Sequence, residues 1–154
     1  AMVKDYGHLL RKDAELAGMA QRVAAAARDL SELIAAQDLD RAGIRAAKPQ
    51  RIAWQSPCTL QHAQRIRGRV ESLLEAVGHE VREPREAARC CGSAGTYSIL
   101  QPELSRRLRT EKLRHLGAVQ PQVIVTANIG CLAHLAAASD VPVRHWVEVV
   151  AEAS

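Results

Sequence analysis

The sequence predicts an α/β fold: three layers, with a parallel sheet of about four strands and helices on both of its faces, preceded by a long N-terminal helix. From residue 51 onward, short apolar segments alternate with segments of helical periodicity. The clearest strand, residues 123–128 (VIVTAN), is a β-branched run typical of buried parallel strands. With 154 residues, 47% of them hydrophobic, the chain is long enough to bury a core.

Residues 5–38 predict one long helix, because apolar residues such as Leu16, Ala20 and Val23 recur at steps of three and four. Residues 38–50, which include Gly43 and Pro49, predict a connection. We therefore divide the chain into an N-terminal helix with its connection, residues 1–50, and a cysteine-rich domain, residues 51–154.

Strands and helices are expected to alternate through the second region. Gly78 stands where a left-handed helix end is expected, and Gln101-Pro102-Glu103 is typical of a helix start. Strands are predicted at 51–57, 79–84, 123–128 and 141–146, and helices at 63–77, 101–117, 130–138 and the C-terminal tail. Of the strands, 79–84 has the weakest pattern.

The net charge of +4 and the pI near 9.1 come mainly from arginine. The basic residues on either side of the cysteine pair are Arg82, Arg85, Arg89, Arg106, Arg107, Arg109, Lys112 and Arg114. A solvated helix face is the main interpretation, and a docking surface for an acidic partner is the alternative. Because Tyr97 is the aromatic residue this region offers for base stacking, nucleic-acid binding is not expected.

Targeting signals are not apparent in the sequence. Apolar runs stay well short of the roughly 20 residues that span a bilayer. The first thirty residues lack a secretory pattern. We expect a cytoplasmic protein, in which cysteines are more often metal ligands or redox groups than disulfides.

Four cysteines, Cys58, Cys90, Cys91 and Cys131, each follow a predicted strand. Because a parallel sheet gathers the carboxyl ends of its strands at one edge, these residues are expected to converge on one thiolate-bound metal centre. Four thiolates suit structural zinc as well as an iron–sulfur cluster, but the paired knuckles of common zinc modules are missing, which favours a cluster. Buried packing residues and a single nucleophilic cysteine beside His134 are the alternatives.

The surroundings of the cysteines indicate how sulfur would be stabilised. Cys58 and Cys131 are predicted at helix N-termini, which lower a thiol pKa. Gly92 and Gly95 allow backbone N–H groups to point at sulfur, or else only form a tight turn. His134 shares a helix face with Cys131 and is open to three roles: ligand, hydrogen-bond partner of a ligand, or packing residue.

Four segments together resemble a known family: residues 56–58 (SPC), 90–98 (CCGSAGTYS), 101–105 (QPELS) and 127–135 (ANIGCLAHL). They are similar to the C-terminal cysteine-rich CCG domain of the glycolate oxidase iron–sulfur subunit. The same domain type occurs in the cysteine-rich subunit of heterodisulfide reductase and in lactate-utilisation proteins. Residues 1–10 resemble the segment after a preceding CCG repeat, so we expect the chain to be a fragment of a longer subunit.

The resemblance implies an iron–sulfur cluster, expected to be 4Fe-4S, with zinc as the alternative. Its implied ligands are Cys58, Cys90, Cys91 and Cys131, with Gly92, Ser93, Gly95 and His134 around them. His134 stands where the fullest CCG motifs have a fifth cysteine, so four thiolates are expected.

The implied role is electron transfer in a glycolate (2-hydroxy acid) oxidase or dehydrogenase, with substrate oxidation on a separate flavin-containing subunit. The implied partners are that subunit and the ferredoxin-like and first CCG regions upstream in the same polypeptide, with at most peripheral membrane association. Three alternatives remain open. They are a structural zinc-binding interaction module, a CCG domain of a lactate-utilisation or heterodisulfide-reductase-type complex, and a thiol-based redox enzyme.

Overall fold

The computed structural model describes residues 1–153 and divides the chain into two units, Ala1–Ile34 and the residues from Ala35 onward. No helix within residues 1–153 has the length and apolar character needed to cross a membrane.

The first unit differs from the predicted long helix of residues 5–38. It contains a 3-10 turn at Met2–Asp5, followed by α1 (Tyr6–Leu9), α2 (Ala17–Ala26) and α3 (Leu30–Leu33). Two aspartates explain the breaks. The Asp13 carboxylate accepts the Leu16 N–H at 2.9 Å just before α2, and Asp29 forms a capping box with Glu32 at the start of α3. Each aspartate starts a new helix, because a carboxylate bonded to the next backbone N–H groups competes with continuation of the helix before it.

The second unit alternates strands and helices. In order, it contains α4 (Ala36–Arg41), β1 (Arg51–Gln55), a π-helical turn (Thr59–Ala63), α5 (Arg69–Ala76), β2 (Glu80–Arg82), α6 (Tyr97–Leu100), α7 (Pro102–Gly117), β3 (Val123–Thr126), α8 (Ile129–Ala136), β4 (Val143–His145) and α9 (Trp146–Ala151). The predicted α/β class with four parallel strands is confirmed.

One predicted helix is shorter than expected. The apolar spacing over 63–77 predicted a continuous helix, but Arg65 and Gly68 have left-handed backbone angles, with φ of +57° and +73°. These angles interrupt the helix, and α5 begins only at Arg69. Gly78 has φ +98°, which agrees with its predicted place at the end of this helix.

All neighbouring strands are parallel, in the order β2-β1-β3-β4. Ile52 of β1 is opposite Val81 on one side and Val123 on the other, and Ile124 of β3 is opposite Val143 of β4. β3 is buried along its whole length, whereas the edge strands β2 and β4 are partly exposed. Strand order reverses between β1 and β3, and ligand sites of parallel sheets lie where the order reverses.

Helices flank the sheet in two groups. α5 contacts α9, and α7 contacts α8. On the side of α7 and α8, Ala53, Ile124, Leu116 and Leu135 form one buried cluster that also includes Cys91 and Cys131. Cys91 and Cys131 are therefore part of the hydrophobic core.

Candidate metal centre

A cavity of about 690 Å³ is lined by the loops that follow β1, β2 and β3. All four cysteines line it: Cys58, Cys90, Cys91 and Cys131. This is the convergence that the sequence predicted. The surrounding residues named from the sequence, Ser93, Gly95 and His134, also line this cavity, and Gly92 lies directly beside it in the loop.

Polar side chains join the ends of the two central strands beneath the cavity. Thr126 of β3 donates its hydroxyl to Gln55 Oε1 of β1 at 2.5 Å, and Gln55 Nε2 donates to the Ser56 carbonyl at 3.1 Å. Both Gln55 and Thr126 are buried, so these bonds satisfy groups that water does not reach. They fix the chain directly before Cys58.

The loop of the cysteine pair packs closely onto α7 through Gly92. This residue has φ +91°, and a Cβ added to it would lie 2.4 Å from the Ser105 carbonyl oxygen. The Ser105 hydroxyl donates to the Gly92 carbonyl at 2.8 Å. The Gly92 N–H points toward Cys90 Sγ at 3.3 Å. A backbone N–H directed at sulfur is the contact expected from Gly92 and Gly95 in the sequence. At Gly95 the φ is +58°, and a Cβ there would meet open space.

Cys91 and Cys131 form the buried part of the site. Their Sγ atoms lie 3.1 Å apart, and the two residues are only 3% and 9% exposed. Asn128 caps α8 by accepting the Cys131 N–H at 3.1 Å, which fixes Cys131 in the first turn.

The hydrogen bond between these two sulfurs shifts their pKa values in opposite directions. The hydrogen bond from Cys131, assisted by the backbone N–H of Ser93, lowers the pKa of Cys91 to about 6 despite its burial. The same hydrogen bond, followed by burial, raises the pKa of Cys131. Cys91 is therefore the thiolate of the pair at neutral pH.

The expected low thiol pKa at the helix N-termini is wrong. Burial, followed by the neighbouring sulfur of Cys90, raises the pKa of Cys58, although Cys58 stands at the start of a helical turn. The pKa of Cys131 is raised as well, and the Asn128 side chain already occupies its N–H group. Burial at Cys58 and the hydrogen bond to Cys91 at Cys131 outweigh the partial charge of a helix end, so the low pKa falls on the loop residue Cys91.

His134 lies at the cavity wall next to Ser105, with Nε2 3.2 Å from the Ser105 hydroxyl oxygen. Because the Ser105 proton goes to the Gly92 carbonyl, the Nε2–H of His134 is the donor in this contact. Burial, followed by the charge of Arg109, lowers the pKa of His134 and keeps the ring neutral. With Nε2 engaged, the ring supports the loop of Cys91 through Ser105.

Sequence reasoning missed Lys112, which it grouped with a solvated basic face. That interpretation is wrong for this residue, because Lys112 is 0% exposed. Its Nζ donates to the Ala87 carbonyl at 2.7 Å, in the loop that leads to the cysteine pair. The available signal was its spacing: Lys112 lies midway between Leu108 and Leu116 at steps of four, on the inward stripe of α7.

The donor set suits a thiolate-bound centre. No group of three or more His, Cys, Asp or Glu side chains within residues 1–153 is already arranged to hold a metal ion. All four sulfurs nevertheless line one cavity and interact electrostatically with one another and with the buried Lys112 ammonium. The cysteines thus fit soft-metal binding in their chemistry, and their role as ligands stays a prediction.

Comparison with known proteins agrees with this arrangement. Residues 52–136 match the CCG cysteine-rich domain family, a span that includes all four cysteines. The chain is 45% identical over 153 residues to the glycolate oxidase iron-sulfur subunit of Escherichia coli, covering 99% of the chain and 37% of the relative.

More distant relatives show the same pattern. Identity is 32% over 133 residues to the probable glycolate oxidase iron-sulfur subunit of Bacillus subtilis, covering 86% of the chain and 30% of that protein. Identity is also 32% to lactate utilization protein A of Geobacillus thermodenitrificans, covering 88% of the chain and 56% of that protein. The chain thus spans about a third of the iron-sulfur subunits it matches, and the match of the family model over its cysteine-bearing region shows that it belongs to the CCG cysteine-rich domain family.

Proposed function

We propose that this chain is an electron-transfer domain that holds an iron–sulfur cluster through Cys58, Cys90, Cys91 and Cys131. The observation that carries the proposal is the meeting of all four cysteines, from three separate loops, around one cavity. The names of the relatives in Escherichia coli and Bacillus subtilis, both iron-sulfur subunits of glycolate oxidase, support the choice of cluster over zinc. We take the cluster to be of the 4Fe-4S type.

When bound, an iron–sulfur cluster accepts and releases single electrons at a potential set by its net charge and by hydrogen bonds to its sulfurs. The residues of this chain contribute in distinct ways. Cys91 is already a thiolate at neutral pH, because its pKa is lowered to about 6. The Gly92 N–H points at Cys90 Sγ, and His134 braces the same loop through Ser105.

Exposure differs between the two sides of the site. Cys91 and Cys131 are buried, whereas Cys58 is exposed. Water is therefore kept from the inner side, and a partner protein reaches the outer side. We propose that electrons enter or leave past Cys58, since short distances favour transfer between redox centres.

The proposed setting is a cytoplasmic complex in which a flavin-containing subunit oxidises glycolate or a similar 2-hydroxy acid. The upstream ferredoxin-like and first CCG regions of the same polypeptide would carry the next steps. A lactate-utilisation complex is the second candidate, favoured by the 32% identity to lactate utilization protein A.

Anaerobic reconstitution of the 154-residue chain with iron and sulfide tests the proposal. We expect a brown protein with bound iron and acid-labile sulfide, and a loss of most of both in each single cysteine-to-serine variant. His134→Ala is the matched control and should keep the iron and sulfide content, because His134 supports the loop without holding the metal. A colourless protein that binds one zinc ion would show a structural zinc module instead.

A further inference from the structure

Lys112 is a fully buried cation on α7, a helix whose other charged side chains are exposed or half-buried. It is 0% exposed, whereas Arg106 and Arg107 on the same helix are exposed. Its inward position on α7, at steps of four from Leu108 and Leu116, is one that an apolar side chain would normally occupy. A buried charge is unfavourable without a partner, so the presence of lysine here requires a compensating group.

That compensating group is not a carboxylate. Among residues 1–153, the ion pairs between basic and acidic side chains do not include Lys112. The hydrogen bond to the Ala87 carbonyl satisfies one of the three ammonium donors, but a carbonyl is neutral and leaves the charge uncompensated.

The four sulfurs interact electrostatically with Lys112. Cys91, the thiolate at neutral pH, packs in one buried cluster with Leu116, which lies one turn after Lys112 on α7. Burial lowers the pKa of Lys112, and attraction to Cys91, Cys58, Cys131 and Cys90, in that order, opposes this effect. At a buried site such attraction is much stronger than in water, because the surroundings screen it less. The cation and the sulfur cavity therefore belong to one electrostatic unit.

We propose that the Lys112 ammonium group is the fixed counter-charge of the thiolate centre and raises its reduction potential. The inference rests on the proposed function, because it concerns the same four sulfurs. One-electron reduction adds one negative charge to the centre, and a buried positive charge nearby stabilises that added charge. Lys112 is thus a positioning residue that acts through space and does not bind metal.

The alternative is mechanical: Lys112 holds the loop before Cys90 only through its bond to Ala87. Lys112→Gln separates the two roles, because glutamine keeps a hydrogen-bond donor but removes the charge. Arg107→Gln is the matched control, since it removes an exposed charge from the same helix. Circular dichroism first establishes that each variant is folded.

The measurement is a dithionite titration of the anaerobically reconstituted 154-residue chain, followed by visible absorption and electron paramagnetic resonance. At the wild-type midpoint, we expect Lys112→Gln to lower the ratio of reduced to oxidised centre about tenfold, equivalent to about 59 mV for a one-electron couple. Arg107→Gln should leave the ratio unchanged within twofold. A wild-type potential in Lys112→Gln would overturn the counter-charge in favour of the mechanical role.

Lys112→Arg is the second variant, and it keeps the test decisive if the glutamine variant does not fold. It retains the positive charge, so it should keep the wild-type potential. A folded, iron-loaded Lys112→Arg in which the ratio of reduced to oxidised centre falls tenfold would refute the proposal.

The zinc affinity of the metal-free chain separates this inference from the proposed function. A protein that binds zinc and no iron would refute the cluster. The counter-charge would still stand if Lys112→Gln then bound zinc about tenfold more weakly than Arg107→Gln, because zinc bound by four thiolates also carries net negative charge. Equal zinc affinities would refute the counter-charge.

Discussion

At the scale of single residues, the site depends on an uneven sharing of protons between sulfurs. Cys91 and Cys131 lie 3.1 Å apart, yet the pKa of Cys91 is lowered and that of Cys131 is raised. The hydrogen bond from Cys131 stabilises the Cys91 thiolate, so the first proton leaves easily. The same hydrogen bond, with burial and repulsion from the Cys91 thiolate, holds the proton of Cys131. The pair therefore carries one negative charge at neutral pH in the metal-free chain.

Titration of the metal-free chain tests this charge state. Because the Cys91 pKa is lowered to about 6, its thiolate should be present above that pH and be lost as the pH falls through it. We expect an ultraviolet thiolate absorption step near pH 6. Cys131→Ala should move this step toward higher pH, because it removes the main hydrogen bond to Cys91. Cys58→Ser is the control and should leave the step in place; an unmoved step in Cys131→Ala would contradict the assignment.

At the scale of elements, the loop after β2 is shaped by its contact with α7. Gly92 packs its backbone directly onto Ser105, where no side chain fits. The loop therefore depends on one glycine for its position, and the placement of Cys90 and Cys91 depends on the loop.

Gly92→Ala should destabilise this contact. The added Cβ would lie 2.4 Å from the Ser105 oxygen at a residue with φ +91°, so either the loop or α7 must shift. We expect the free energy of unfolding to fall by about 1–3 kcal/mol and iron uptake to be largely lost. Gly95→Ala, with φ +58° and open space around the new Cβ, is the matched control for backbone strain. Denaturant titration and iron analysis of both variants test this prediction. Equal losses of iron in the two variants would mean that close packing at Gly92 does not position the cysteines.

Elements with strong local signals were predictable from sequence. α7 begins at Pro102, as the Gln101-Pro102-Glu103 segment predicted, and β3 follows the β-branched run that starts at Val123. The long N-terminal helix was wrong, because the apolar spacing does not show that the Asp13 carboxylate bonds to the following backbone N–H groups.

The part of the site that could be predicted from the sequence is the part that follows from the order and direction of the strands. The convergence of the cysteines follows from parallel strands, so their order along the sequence was enough. The buried Lys112 and the distribution of thiol pKa values depend on three-dimensional neighbours. Separation along the chain does not reveal those neighbours: Cys91 and Cys131 touch across 40 positions.

At the scale of the whole molecule, the core of the second unit forms without help from a metal. Ile52, Trp54, Leu74 and Val125 are almost completely buried between the sheet and its helices. Domains with such a core do not need a metal ion to fold, unlike small zinc modules.

The metal-free chain should therefore stay folded. We expect a chelator to leave the helical circular dichroism signal and the cooperative thermal transition in place. Hydrogen exchange should become faster mainly at residues 90–95, because their order depends on the sulfur site. Cooperative unfolding on addition of the chelator would contradict this expectation and favour structural zinc.

The joining of β1 and β3 by Thr126 and Gln55, 71 positions apart, has a consequence for how the protein matures. Loops of this length close late in folding, because the chain loses much entropy before distant contacts form. A chain that has only its helices, or has paired its strands in another order, does not bring the sulfurs together. Under the proposed function, brown colour reports native topology, and a library of variants could be screened for correct folding by eye.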